Sequence, residues 1–181
     1  ADSYFVTVTD ENGCTDTLSH TISEPDLLQV SIDNATDSLL CFGDTDGEIN
    51  LNVIGGSGPY SYAWSNGETT DDISDLVADS YFVTVTDIYG CTDTLSHTIN
   101  EPDELQISIN SATDSLLCFG DDDGFINIDV TGGTGDYSYL WDSGETTEDI
   151  SDLVADSYFV TVTDDNGCTD TLSYTINEPD E

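Results

Sequence analysis

One ten-residue stretch, ADSYFVTVTD, occurs three times without change, and its copies begin at residues 1, 78 and 155, so the period is 77 residues. In the middle copy, Tyr81, Val83 and Val85 alternate with Phe and Thr residues. A two-residue apolar period predicts a β-strand with one buried face. The chain is therefore expected to repeat one β-domain in tandem.

The period divides the chain into three parts: residues 1–26 are the C-terminal part of a preceding repeat, and residues 27–103 and 104–181 are complete repeats. The first complete repeat ends on Glu101-Pro102-Asp103, a short linker that proline stiffens. A domain of this size is near the lower limit for an independent core, so neighbouring repeats are expected to support one another. Constant spacing and stiff junctions predict a linear rod.

Each repeat contains six or seven short alternating segments with turn signals between them, and no helical period. This pattern predicts an antiparallel β-sandwich. Trp64 is expected at the centre of the core, and Tyr81 follows a chain crossing in the manner of a tyrosine corner. The predicted fold class is all-β, with tandem immunoglobulin-like antiparallel β-sandwiches arranged as a linear rod.

Charge is the most unusual property of the composition, because the chain contains 39 Asp and Glu residues and no Lys or Arg, so that its formal net charge is −39. Nucleic acid and anionic membrane surfaces are excluded as partners, since both are bound through Lys and Arg. No apolar run is long enough for a membrane helix, so no direct membrane insertion is expected. Free cations must screen the repulsion between carboxylates.

The five cysteines follow the period in two series, Cys14, Cys91 and Cys168 in one and Cys41 and Cys118 in the other. Two cysteines per repeat predict one disulfide per repeat, Cys41 with Cys91 and Cys118 with Cys168, and a partner for Cys14 that precedes Ala1. Disulfides indicate an extracellular, oxidising location. In a standard immunoglobulin topology these two positions lie at opposite ends, so bonds between neighbouring repeats and free thiols are the alternatives.

Acidic turns suggest a second kind of site. Asp44-x-Asp46-Gly47 resembles a fragment of a calcium loop, although alignment with an EF-hand fails, and by local sequence alone a plain Asp-Gly turn explains it better. No cofactor is required, and calcium is the one ion expected, with carboxylates gathering at the repeat junctions. The predicted calcium ligands are Asp44, Asp46, Asp121, Asp123, Glu101, Asp103, Asp164 and Asp165.

Three ordered motifs carry a family resemblance: Cys-x-Gly-x-x-Asp-Gly at 41–47, Gly-Gly-x-x-x-Tyr-x-Tyr-x-Trp-Ser-Asn-Gly-x-Thr-Thr at 55–70, and Tyr-x-Val-x-Val-x-Asp-x-x-Gly-Cys at 81–91. Together they resemble the SprB-type repeat, found in long cell-surface adhesins of gliding Bacteroidetes-type bacteria and in other proteins exported by type IX secretion. The resemblance implies an extracellular stalk or adhesin at the bacterial surface and supplies no catalytic residues.

Asp-Thr-Leu and Asp-Ser-Leu sequences look like the acceptor used for O-glycosylation in Bacteroidetes. Thr94 is expected to point outward, opposite Leu95, where a glycan does not disturb the core. Chance in a chain rich in Asp and Thr is the alternative. The predicted acceptors are Thr17, Ser38, Thr94, Ser115 and Thr171.

Two functions fit these observations, and neither is enzymatic, because no Ser, His and Asp stand in a catalytic context. The first is a structural stalk or spacer of a long extracellular repeat adhesin or surface filament. Its partners are neighbouring repeats and other copies in a filament, and its tip ligand lies outside this sequence. The second is a carbohydrate-binding accessory β-sandwich array of a secreted hydrolase. Sugar binding requires exposed aromatic side chains, whereas a stalk is expected to bury Trp64 and Trp141.

Overall fold

The computed structural model describes all 181 residues and contains β-strands and no helix, which confirms the predicted all-β class. The strands form five small sheets. Their bounds are β1 Asp2–Thr9, β2 Thr15–Ile22, β3 Gln29–Ala35, β4 Gly47–Ile54, β5 Ser61–Trp64, β6 Ile73–Leu76, β7 Asp79–Thr86, β8 Thr92–Ile99, β9 Gln106–Ala112, β10 Gly124–Thr131, β11 Ser138–Trp141, β12 Ile150–Leu153, β13 Ser157–Thr163 and β14 Thr169–Thr175.

The chain divides into two compact units that do not follow the sequence period. Unit one comprises Ala1–Asn34, Asn50–Ile73 and Tyr81–His97. Unit two comprises Ala35–Ile49, Ser74–Ser80 and Thr98–Glu181. Both units contain segments of the repeat at 27–103, so the predicted domain boundaries remain a prediction from the sequence.

Unit two contains a complete two-sheet sandwich. One sheet has the order β9-β10-β12 and the other β11-β13-β14. This is the A-B-E and C-F-G order of an immunoglobulin-like domain without strand D. Both sheets contribute to a single core, whose buried members are Leu116, Ile126, Ile128, Trp141, Ile150, Leu153, Tyr158, Val160, Val162 and Ile176.

Polar side chains in this sandwich fix its strands to one another. The Trp141 indole Nε1 donates to the Thr147 carbonyl oxygen at 2.9 Å, which satisfies the one polar atom of a buried ring. The Tyr158 hydroxyl donates to the Val154 carbonyl oxygen at 3.0 Å, as in a tyrosine corner. The backbone N–H of Ile107 in β9 donates to the Asp170 carboxylate in β14 at 2.9 Å, which joins the two sheets.

Unit one contains the hairpin of β1 and β2, paired from Asp2 with Ile22 to Thr9 with Thr15. It also contains the pairing of β5 with β7, in which Trp64 lies opposite Val83. Both of these side chains are buried, and the indole of Trp64 donates to the Thr70 carbonyl oxygen at 2.9 Å. The β1–β2 hairpin is exposed along its whole length.

No helix in the structure could span a bilayer. The Ala1 backbone nitrogen lies 2.8 Å from the Glu24 carboxylate, and both residues are exposed. Carboxylates such as Asp44 and Asp164 accept hydrogen bonds from uncharged backbone N–H groups, as expected for a chain without Lys or Arg. Such bonds therefore replace salt bridges in fixing the loops.

Candidate functional site: the Cys41–Cys168 junction

A disulfide joins Cys41 to Cys168 across a sequence separation of 127 residues, with the Cα atoms 5.6 Å apart. That Cα distance is typical of disulfides. Cys41 belongs to the repeat at 27–103 and Cys168 to the repeat at 104–181, so the bond connects consecutive repeats. All residues of this junction lie within unit two.

The predicted pairs Cys41 with Cys91 and Cys118 with Cys168 are therefore wrong. Cys14, Cys91 and Cys118 are free and exposed. The second repeat shows the physical reason: the loop that carries Cys118 is fixed at the end of β14, where the Leu116 N–H donates to the Asn177 carbonyl oxygen at 2.8 Å. Cys168 precedes the start of β14, so about 30 Å of strand separates the two positions.

The loop that carries Cys41 is held by its own polar groups. The Leu39 N–H donates to the Asn100 carbonyl oxygen at 2.9 Å, and the Cys41 N–H donates to the Asp44 carboxylate at 2.9 Å. The Gly43 N–H donates to the Glu101 carboxylate at 2.7 Å. These bonds fix the loop against the first residues of the inter-repeat linker and project the Cys41 side chain toward the next repeat.

Cys168 projects from a tight turn organised by Asp164. The Asp164 carboxylate is buried and accepts backbone N–H bonds from Thr134, Asn166 and Cys168 at 2.8, 2.9 and 2.9 Å. Burial by itself raises the pKa of Asp164, but the backbone donors outweigh it and hold the pKa below its ordinary value. Ionised Asp164 therefore stabilises the turn through these three hydrogen bonds.

Loop and turn also meet through polar and apolar contacts beside the disulfide. The Asn166 side-chain amide donates to the Leu40 carbonyl oxygen at 2.9 Å. A shallow groove at the bond is lined by Phe42 from the loop and by Leu105 and Thr169 from the second repeat. Leu105 is buried and Phe42 is half exposed. The disulfide is therefore one part of a larger contact.

The linker is held on both sides of its proline. Glu101 accepts the Gly43 bond from the first repeat, and the Asp103 carbonyl oxygen accepts the Gly133 N–H of the second repeat at 2.8 Å. Gly132 has a φ of +73°, and a Cβ there would lie 1.9 Å from the Glu104 carbonyl oxygen. Only glycine permits this approach. The linker is therefore held in place by hydrogen bonds to both repeats, and we call this arrangement the linker clamp.

The predicted calcium ligands are not gathered into a metal centre, since no group of three or more His, Cys, Asp or Glu has a suitable arrangement. Five of these carboxylates bind backbone N–H groups instead: Asp44 binds Cys41, Asp121 binds Cys118, Glu101 binds Gly43, Asp164 binds its own turn and Asp165 binds Asp136. Calcium binding stays a prediction.

The predicted glycosylation acceptors are all exposed, and Thr94 is exposed where Leu95 is partly buried, as expected. The aspartates of two of these motifs have a structural role, because Asp93 and Asp170 accept the N–H groups of Val30 and Ile107 at 2.8 and 2.9 Å. Glycosylation itself stays a prediction. Trp64 and Trp141 are 7% and 2% exposed, so neither presents a surface to a sugar.

Sequence reasoning missed the polar residues that orient the two cysteines. Asn166, Asn100 and Glu101 carry no motif of their own, and the motif at 41–47 that includes Gly43 does not indicate its bond to Glu101. One signal was present: the same pair recurs as Gly120 with Glu178, at an equal separation of 58 residues and an equal distance of 2.7 Å. A glycine and a glutamate that keep one spacing in both repeats indicate a conserved contact within each repeat.

These features define a class of protein: tandem immunoglobulin-like β-sandwiches joined by a clamped linker and a bond between consecutive repeats. The SprB repeat model matches the chain twice, over residues 34–69 and 110–146. The resemblance to the SprB-type repeat is thereby confirmed. The first match includes Cys41 and Trp64, and the second includes Cys118 and Trp141. No curated protein sequence matches the chain.

Solved structures with a similar fold come from unrelated proteins. The three N-terminal domains of the bacteriophage RB49 Highly Immunogenic Outer Capsid protein (Hoc) are 18% identical, with a TM-score of 0.42, over 84% of this chain and 58% of theirs. Sidekick-1 immunoglobulin domains 1–4 are 12% identical, with a TM-score of 0.43, over 99% of this chain and 59% of theirs. The Clostridium thermocellum CbhA fibronectin(III)-like modules are 11% identical, with a TM-score of 0.31, over 83% of this chain and 95% of theirs. At these TM-scores the likenesses carry no inference about function.

Proposed function

We propose that this chain is a structural stalk or spacer segment of a long extracellular repeat protein at the bacterial surface. The SprB match supports an extracellular repeat-domain role. The observation that carries the finer proposal is the Cys41–Cys168 bond, because it joins two consecutive repeats rather than two strands of one repeat. A covalent bond of that kind resists separation of the repeats under load.

The linker clamp supports the same role. On one side of Pro102 the Glu101 carboxylate accepts the Gly43 N–H of the first repeat, and on the other side the Asp103 carbonyl oxygen accepts the Gly133 N–H of the second repeat. An adhesin that carries a distant ligand-binding tip needs stiff junctions more than it needs a ligand site on each repeat. Localisation at the cell surface, export by type IX secretion and assembly with other copies in a filament belong to this proposal.

The carbohydrate-binding alternative has less support. Its strand aromatics Trp64 and Trp141 are buried, and their indole N–H groups are already bonded to backbone carbonyls. Sugar stacking needs an exposed aromatic face with free polar partners beside it.

Force spectroscopy on single chains held at both ends tests the load-bearing role. The disulfide closes a loop of 127 residues, which cannot extend while the bond is intact. The oxidised chain should therefore release about 430 Å less contour length than the reduced chain, at roughly 3.4 Å per residue. Cys118→Ser is the matched control, since it removes a free thiol and should keep the short length. Equal lengths for oxidised and reduced chains would contradict the proposal.

A further inference from the structure

The loop and the turn that form the Cys41–Cys168 junction each occur more than once in this chain. Residues 35–44 and 112–121 have the same sequence, ATDSLLCFGD. The Gly-Cys-Thr-Asp-Thr-Leu-Ser sequence that begins at Gly13 returns at Gly90 and at Gly167. The structure therefore contains one loop and one turn that a disulfide joins, at Cys41 and Cys168. It also contains a second copy of the loop, at Cys118, and two further copies of the turn, at Cys14 and Cys91, whose cysteines are free.

The turn at Cys91 and the loop at Cys118 have the hydrogen bonds of the turn at Cys168 and the loop at Cys41. In the turn at Cys91, Asp87 accepts N–H bonds from Tyr89 and Cys91 at 2.9 Å and from Ser57 at 3.1 Å, as Asp164 does in the turn at Cys168. In the loop at Cys118, the Gly120 N–H donates to Glu178 at 2.7 Å. Both thiols are exposed, whereas Cys41 and Cys168 are partly buried by each other's repeats.

A groove lies beside Cys91, within unit one, and has a volume of about 460 Å³. This groove is lined by Leu27, Leu28, Cys91 and Thr92. Their equivalents one period later are Glu104, Leu105, Cys168 and Thr169, which line the groove at the Cys41–Cys168 bond, called the joined groove below. In the joined groove the loop residues Cys41 and Phe42 complete the wall. In the groove at Cys91 no such loop is present.

We propose that the groove beside Cys91 is a docking site for a Leu-Cys-Phe loop of another SprB-type repeat, and that a disulfide to Cys91 fixes the loop there. The occupant is defined by the loop at Leu40–Phe42, which fills the equivalent place at Cys168. The inference rests on the proposed function and extends it, because every junction of an array would then carry one bond of the same kind.

Two differences between the groove at Cys91 and the groove at Cys168 bear on docking. Leu27 replaces Glu104, and it is 77% exposed, so an apolar loop gains burial there. Tyr89 replaces Asn166, whose amide donates to the Leu40 carbonyl oxygen. Docking at Cys91 therefore depends more on apolar contact and lacks one hydrogen bond.

Bond formation between two such thiols is an oxidation and consumes a small-molecule or protein disulfide, which is reduced to two thiols. The test avoids this requirement by using a peptide of residues 37–46, DSLLCFGDTD, whose cysteine is activated as a mixed disulfide with 5-thio-2-nitrobenzoate. The Cys91 thiolate attacks the peptide sulfur, a peptide–Cys91 disulfide forms, and 5-thio-2-nitrobenzoate leaves with the electron pair. The Cys91 proton goes to solvent.

Cys14 is the matched internal control in the 181-residue chain. In its turn Asp10 accepts from Asn12 and Cys14 at 2.9 and 2.8 Å, as Asp87 does from Tyr89 and Cys91, and the Cys14 thiol is exposed, but Cys14 does not line the groove. Peptide mapping should show coupling at Cys91 about tenfold faster than at Cys14, because docking raises the local concentration of the peptide sulfur. A peptide with Ser in place of Leu39, Leu40 and Phe42 should lose this preference.

Tyr89→Asn should raise the rate at Cys91 by a further factor of about two to three, because it restores the donor to the leucine carbonyl. Equal rates at Cys91 and Cys14, or a preference that persists with the Ser peptide, would overturn the inference. The same digest reports the Cys41–Cys168 bond. Its absence would count against the proposed function, and its presence with equal rates would count against the docking site alone.

Discussion

The turns at Cys168 and Cys91 have the same Asp-centred hydrogen bonds, yet one is bonded to a loop of another repeat and the other is free. The Cys168 turn faces Leu40 and Phe42, whereas the Cys91 turn faces an open groove. Local sequence therefore fixes the shape of the turn, and the presence of a loop from another repeat fixes its covalent state. A junction of this kind is a property of two repeats and not of one.

The largest expected effect comes from breaking the bonded junction. Cys41→Ser should lower the free energy of unfolding by about 5 kcal/mol, because a 127-residue loop is no longer closed in the unfolded chain. That loss corresponds to a fall in Tm of roughly 10–20 °C for a chain of this size. Calorimetry of the variant checks the value.

Cys118→Ser is the comparison variant for this prediction, because the same sequence loop carries a free thiol there. Its Tm should equal that of the parent chain, and chemical reduction should lower the Tm of Cys118→Ser but not of Cys41→Ser. Two variants with equal Tm values would contradict a bonded Cys41.

The glycine beside the linker has the next largest effect. Gly132→Ala should cost about 3 kcal/mol, since its Cβ would meet the Glu104 carbonyl oxygen at 1.9 Å in a left-handed conformation. Gly144→Ala has a similar φ of +100° but no neighbour within 4 Å, so it should cost about 1 kcal/mol. Urea denaturation of both variants measures the difference, and equal losses would show that the linker is not clamped.

Protonation of Asp164 is expected to loosen the bonded turn. Its pKa is held below the ordinary value, so its stabilisation is fully present above about pH 4 and is lost as the pH falls through the lowered pKa. The stability difference between the parent chain and Asp164→Asn should therefore be larger at pH 7 than near pH 2. Asp122→Asn, at an exposed position, controls for the change in net charge. A stability difference between the parent chain and Asp164→Asn that does not change with pH would contradict the stabilising role of ionised Asp164.

The smallest effect concerns the carboxylates that hold the two identical loops. Glu101→Ala removes the bond to Gly43 and should weaken the bonded loop by about 1 kcal/mol. Reduction of the Cys41–Cys168 bond by dithiothreitol should then be about fivefold faster. Glu178→Ala removes the equivalent bond to Gly120 beside the free Cys118 and should leave that rate unchanged. Equal acceleration by both variants would mean that the effect is not local.

Much of the fold follows from the sequence. The strict alternation in Ala155–Asp164 predicts β13, and the structure buries Tyr158, Val160 and Val162 as that pattern requires. The predicted burial of Trp64 and Trp141 is confirmed, and Tyr158, the equivalent of Tyr81 in the second repeat, forms a tyrosine corner. These features depend on side chains close in sequence or on one strand, where periodicity carries the information.

Pairing of the cysteines could not be read in the same way. A 77-residue period is equally consistent with bonds within a repeat and bonds between repeats. The deciding fact is that the loop of Cys118 lies at the far end of β14 from Cys168, which only the strand topology supplies.

Disulfide mapping of the oxidised 181-residue chain tests the central claim most directly. Since the chain contains no Lys or Arg, cleavage at Asp and Glu under non-reducing conditions replaces trypsin. The account predicts one linked pair of peptides, with Cys41 in one and Cys168 in the other, and free thiols at Cys14, Cys91 and Cys118. Linked peptides that join Cys41 to Cys91 and Cys118 to Cys168 would contradict it.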